Sequence, residues 1–70
     1  MSTQDELRQL EEDLARLKAS TADLRSQISD MGATDAVERS AMLSMADEQD
    51  GLIAELESRR DELRSRLDLS

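Results

Sequence analysis

Asp35 and Glu38, three residues apart, and the run Asp47, Glu48, Asp50, Glu55 and Glu57 further on are the side chains with most chemistry to offer. Carboxylates at such spacings can ligate hard cations, share a proton as acid and base, or cap a helix. Residues 46 to 57, ADEQDGLIAELE, fall on a calcium loop with Glu48, Asp50, Gly51, Ile53 and Glu57 at positions suited to an acid, an acid, a glycine, an aliphatic and a bidentate acid. Ala46, however, stands where the first carboxylate ligand is required, and the same residues continue a helical pattern. The expectation is therefore no metal site and no cofactor.

The chain has no cysteine and no histidine. Disulfides, thiolate chemistry, most zinc sites and the commonest general base are thereby excluded, and the serines and threonines lack a base to activate them. Two carboxylates still need a cleft to separate their pKa values, and a helical rod offers none. A non-enzymatic protein is expected. The net charge of −8, from 17 acidic and 9 basic residues, repels phosphate backbones and anionic membranes, so neither nucleic acid nor membrane is an expected partner. The opening residues MSTQDELRQL carry no basic patch or apolar run, and no stretch approaches the length of a membrane span. A cytoplasmic location follows as the expectation.

The elements that must position the acids are helices. Leu7, Leu10, Leu14, Leu17, Leu24, Ile28 and Met31 step by three and four, with Thr21 in the one missing slot, which is a heptad seam. Thr3 and Glu6 form a capping-box pattern that starts this helix near residue 4, and Gly32 supplies a left-handed stop after residue 31. Thr34 or Asp35 can cap a second helix, with Glu38 as the reciprocal acid. Its stripe runs through Met42, Met45, Leu52, Leu56, Leu63 and Leu67, with Ile53 beside it and Gln49, Arg59 and Arg60 interrupting it. Acid-first pairs four residues apart, Glu12 with Arg16, Glu55 with Arg59 and Glu62 with Arg66, support both helices.

The expected fold is all-α: one antiparallel two-helix coiled-coil hairpin, with helix 1 over about 4–31, a bend at 32–34 and helix 2 over about 35–68. No aromatic residue is available to thicken its core, so the apolar edges favour a homodimer resembling a four-helix bundle. Within residues 30 to 57, eight acids face Arg39 alone, which makes the bend and the return arm strongly acidic. A seam of this length spans roughly 40 Å, so the whole is a rod with an acidic tip. Asp35, Glu38 and Arg39, with the adaptable side chains of Met42 and Met45, are the candidate partner-binding residues.

The stretch TDAVERSAMLSMADEQ resembles the hairpin tip and returning arm of the Gre transcript-cleavage factors. Asp35 and Glu38 fall on that family's two tip acids, and Asp47, Glu48 and Gln49 on its later acidic run. The DAVERS segment is equally similar to the tip of the DksA/TraR regulators, with Asp35 and Glu38 on the acids, Arg39 on an arginine and Ser40 on a small residue. The resemblance implies a hairpin that enters the secondary channel of RNA polymerase and places acids near the active-site magnesium. Met42 stands in place of the tyrosine common in the Gre tip helix, and these 70 residues hold neither a Gre-type globular domain nor zinc-finger cysteines. The leading expectation is a self-associating protein–protein interaction module with an unidentified protein partner. A regulator acting on RNA polymerase is the alternative, and a metal-responsive switch ranks below it.

Overall fold

The computed structural model describes residues 2–32 and 35–69. Two helices, α1 (Thr3–Asp30) and α2 (Ala36–Leu69), pack against each other as an antiparallel hairpin measuring 55 × 16 × 15 Å. None of the described helices is long and apolar enough to cross a membrane.

Helix α1 begins one residue earlier than the capping-box pattern suggests. Ser2, not Thr3, is the N-cap: its hydroxyl accepts from the Asp5 amide at 3.2 Å, and its carbonyl accepts from the Glu6 amide at 3.0 Å. Serine caps somewhat better than threonine, and this start places both Asp5 and Glu6 in the first turn, where the helix dipole favours them. At the other end the left-handed glycine stop does not form. Met31 leaves the helix in an extended conformation while its amide still donates to the Gln27 and Ile28 carbonyls, and no described residue has a positive φ. Because the chain turns out through Met31, Gly32 has no left-handed conformation to supply.

The α1 seam is as the leucine spacing indicates. Leu14, Thr21 and Ile28 are buried, and Leu7, Leu10, Leu17, Leu24 and Met31 are half-buried. The α2 seam differs from the expected stripe. Ala46 and Leu63 are buried, and Met42, Gln49, Ile53, Leu56, Arg60 and Leu67 are half-buried. Those positions keep the three–four step without a break, so Gln49 and Arg60 belong to the seam. Leu52, expected in the core, is instead 46% exposed, and Met45 is 52% exposed. Ile53 takes the seam position that Leu52 was expected to fill. Arg60 fits there because its stem lies along the seam while its head reaches Glu57 at 3.7 Å and Asp61 at 3.1 Å.

One side-chain pair marks the register. The Thr21 hydroxyl stands 2.6 Å from Gln49 Oε1 and 2.8 Å from the Leu17 carbonyl, and its single proton serves one of the two at a time. Stepping outward by heptads from this layer brings Leu14 level with Leu56 and Leu7 with Leu63 on one side, and Ile28 with Met42 on the other. Three ion pairs along one flank keep the same register: Arg25 with Asp50, Lys18 with Glu57 at 3.2 Å, and Arg64 with Glu11 at 3.2 Å. Their residue numbers rise by sevens on one helix as they fall by sevens on the other. Of the expected pairs within single helices only Glu62 with Arg66, at 3.0 Å, is present. Arg16 turns back to Asp13, and Arg59 turns forward to Glu62.

Gly51 lies within α2, and a Cβ built there meets nothing within 4 Å. Alanine removes the conformational freedom that glycine carries in the unfolded chain without meeting any obstacle in the folded one. Gly51→Ala is expected to stabilise the hairpin by about 1 kcal/mol and to raise its thermal midpoint by about 4–8 °C. A melt followed by circular dichroism checks this, and an unchanged midpoint would mean that the helix is not continuous at residue 51.

Candidate functional site

Asp35 lies at the bend because α2 needs a cap there. Its carboxylate oxygen Oδ1 accepts from the amides of Val37 and Glu38, both at 3.1 Å, and its carbonyl accepts from the Arg39 amide at 3.0 Å. One oxygen of the first candidate acid is thus engaged in holding the helix start. Thr34, the other candidate cap, lies outside the described residues. Glu38 is exposed, and its carboxylate makes no ion pair among the described residues.

Arg39 is also exposed and without an ion pair among the described residues. It borders two shallow clefts. One, of about 210 Å³, is shared with Gly32, Asp35 and Ala36, and the other, of about 250 Å³, with Arg25, Ile28, Ser29 and Leu43. Met42 and Met45, grouped as a contact surface from their place in the sequence, separate in space: Met42 turns into the seam and Met45 turns out. Val37, at 80% exposure, extends the apolar surface near the bend, although its isolated position gave no periodic signal.

The acidity of the return arm is smaller in space than along the chain. Arg25 on α1 reaches both Asp47, at 3.5 Å, and Asp50, and Lys18 reaches Glu57. Three of the acids counted against Arg39 alone are therefore paired from the opposite helix, by two cations that offset two of the three charges. Glu48 and Glu55 point to solvent, and near the bend Asp30, Asp35 and Glu38, together with the cationic Arg39, make no ion pair among the described residues. All of these ion pairs are partly exposed, so each contributes no more than about 1 kcal/mol, and their main effect is on which surfaces stay charged.

The segment with calcium-loop spacing is uninterrupted α-helix throughout residues 46 to 57. The helix holds Asp50 and Glu57 on one flank but roughly 10 Å apart along its axis, and Glu48 on another face, whereas a calcium loop must converge its oxygens on one point. Among the described residues no group of three or more acidic side chains is placed to hold a metal ion.

Near the open end a groove of about 240 Å³ is floored by Leu10 and Leu63 and rimmed by Glu6, Gln9, Asp13 and Arg59. Arg59 spans it, 4.0 Å from Glu6 and 3.3 Å from Glu62. It lies on the flank opposite the three cross-helix ion pairs. That flank also carries Met45 and Leu52, which the leucine-based reading of α2 placed in the core stripe. Following the unbroken step from Met42 through Ala46 and Gln49 would have assigned them to it.

Capping and partner recognition at the bend can be separated by substitution. The double variant Asp35→Asn, Glu38→Gln is expected to keep its helicity and a thermal midpoint within a few degrees, because asparagine caps about as well as aspartate. Asp35→Ala is expected to cost about 1 kcal/mol. Equal destabilisation by both variants would show that charge at the helix start, rather than the cap hydrogen bonds, holds α2 in place.

Comparison with family models, with curated proteins and with solved structures finds no match for this chain.

Proposed function

We propose that this hairpin is a non-enzymatic, cytoplasmic protein–protein interaction module that self-associates as a homodimer. One observation carries the reading: among the described residues the hairpin buries few apolar side chains and leaves as many large ones exposed. Leu14, Ile28, Ala46 and Leu63 form the fully buried apolar core, while Val37, Leu43, Met45, Leu52 and Leu69 are exposed. A two-helix layer this thin gains stability by sharing its apolar flank, as helices in four-helix bundles do. Sedimentation equilibrium of the full chain tests it. A concentration-dependent rise toward twice the monomer mass is expected, and a helical monomer persisting to about 1 mM, an affinity limit near 4 kcal/mol, overturns it.

A second reading is favoured by Glu38, which is exposed, and without an ion pair among the described residues, beside the bend of a rod only 16 × 15 Å in cross-section. In that reading the acidic tip enters the secondary channel of RNA polymerase. The engagement of Asp35 as a cap weighs against it. The Asp35→Asn, Glu38→Gln variant decides: loss of polymerase binding by a still-folded rod supports it, and unchanged binding, or none by the parent chain, removes it.

A further inference from the structure

Glu38, Met45, Leu52 and Arg59 follow one another at intervals of seven along the flank of α2 that α1 leaves open. Read along the helix, the order is acid, apolar, apolar, base. Such a stripe is complementary to itself when reversed. We infer that it is the contact surface for a second copy of this chain, with α2 packed on α2 antiparallel about a two-fold axis. Met45 then meets Leu52 of the second copy, Leu52 meets its Met45, and Glu38 and Arg59 exchange ion pairs on either side. This deepens the self-association proposed above and rests on it.

Charge selects both the occupant and the direction. A parallel arrangement sets Glu38 against Glu38 and Arg59 against Arg59, which repel. The opposite flank is unsuited, because Lys18, Arg25 and Arg64 are already matched there to Glu57, Asp50 and Glu11 within the chain. Glu38 has no such partner among the described residues. Arg59 contacts Glu62 and Glu6 at 3.3 and 4.0 Å, and the five donors of a guanidinium leave some for a further carboxylate. A two-fold operation is also the commonest symmetry of homo-oligomers and demands a self-complementary surface. Four side chains per copy make a small interface, below the class that gives tight complexes, so a dissociation constant on the order of 100 µM is expected.

The test uses the full chain in sedimentation equilibrium from about 10 µM to about 1 mM at ~0.15 M salt, with helicity checked for each variant. Leu52→Glu should weaken dimerisation at least tenfold while remaining helical, since residue 52 is exposed in the hairpin. Glu38→Arg and Arg59→Glu should each weaken it severalfold, and the double swap Glu38→Arg, Arg59→Glu should restore it to within about twofold, because the exchanged charges meet again across the axis. If the parent dimerises and Leu52→Glu does so equally, self-association stands and this surface is wrong. If the single swaps weaken the dimer but the double swap does not rescue it, the antiparallel pairing falls. A parent chain that stays monomeric to about 1 mM removes the surface and the self-association together.

Discussion

Leu63→Ala is expected to lower the stability of the hairpin by about 2–3 kcal/mol, the largest loss from any single truncation to alanine. Leu63 is 2% exposed, the most deeply buried of the described leucines. Truncation removes its transfer free energy and opens a space at the floor of the groove shared with Leu10. The lower end of the usual range for buried leucine applies, because that groove is open to water and can partly collapse. A chain of 70 residues has a total stability of roughly 4–10 kcal/mol, so the loss is a large share of it. The thermal midpoint should fall by about 10–20 °C, measured at a few micromolar so that association does not mask the effect. Leu52→Ala, the same chemistry at 46% exposure, should cost less than about 1 kcal/mol. Equal losses from the two variants would show that α2 presents a different face to α1.

The contrast between those two leucines also shows why one helix was readable from sequence and the other was not. On α1 every seam position but Thr21 carries a leucine, an isoleucine or a methionine, so hydrophobic spacing and the buried face coincide. On α2 the seam contains Ala46, Gln49 and Arg60, none of which announces itself as core, while Met45 and Leu52 stand one position away. Hydrophobicity alone then rotates the assigned face by one residue. Step length was the better guide, because the seam keeps its three–four rhythm from Met42 to Leu67. The bend was legible at Asp35, whose capping role follows from residue type and spacing, but not at Gly32, where the chain's exit through Met31 made the glycine's freedom redundant.

Charge was legible in amount and not in placement. Counting along residues 30 to 57 assigns the return arm a strong negative field, but Lys18 and Arg25 lie far away in sequence and adjacent in space. Pairing across a hairpin depends on register, and the polar contact that marks this register joins two helices, so no single-helix pattern contains it. The gap at Thr21 in one seam and the gap at Gln49 in the other are the same feature seen from two sides.

That contact gives the second large effect. Thr21 is 4% exposed and hydrogen-bonded to Gln49, so a pairing that separates the two leaves each polar group without its partner in an apolar seam. Buried polar residues at seam positions of coiled coils trade stability for a defined register and oligomeric state. Replacing one partner and replacing both should therefore act in opposite directions. Thr21→Val alone should cost about 1 kcal/mol, since it removes the hydroxyl and keeps the half-buried amide. Thr21→Val with Gln49→Leu fills the layer with apolar atoms and should stabilise the hairpin by about 1–3 kcal/mol, raising the midpoint by about 5–20 °C. The same double variant no longer penalises α1 pairing with α1 of another chain, or arms exchanged between chains. Sedimentation velocity should then resolve species larger than any in the parent chain's own distribution. A more stable variant with an unchanged mass distribution would mean that the ion-pair flank sets the pairing without help from this layer. A less stable one would mean that the Thr21–Gln49 hydrogen bond contributes more than the apolar burial that replaces it.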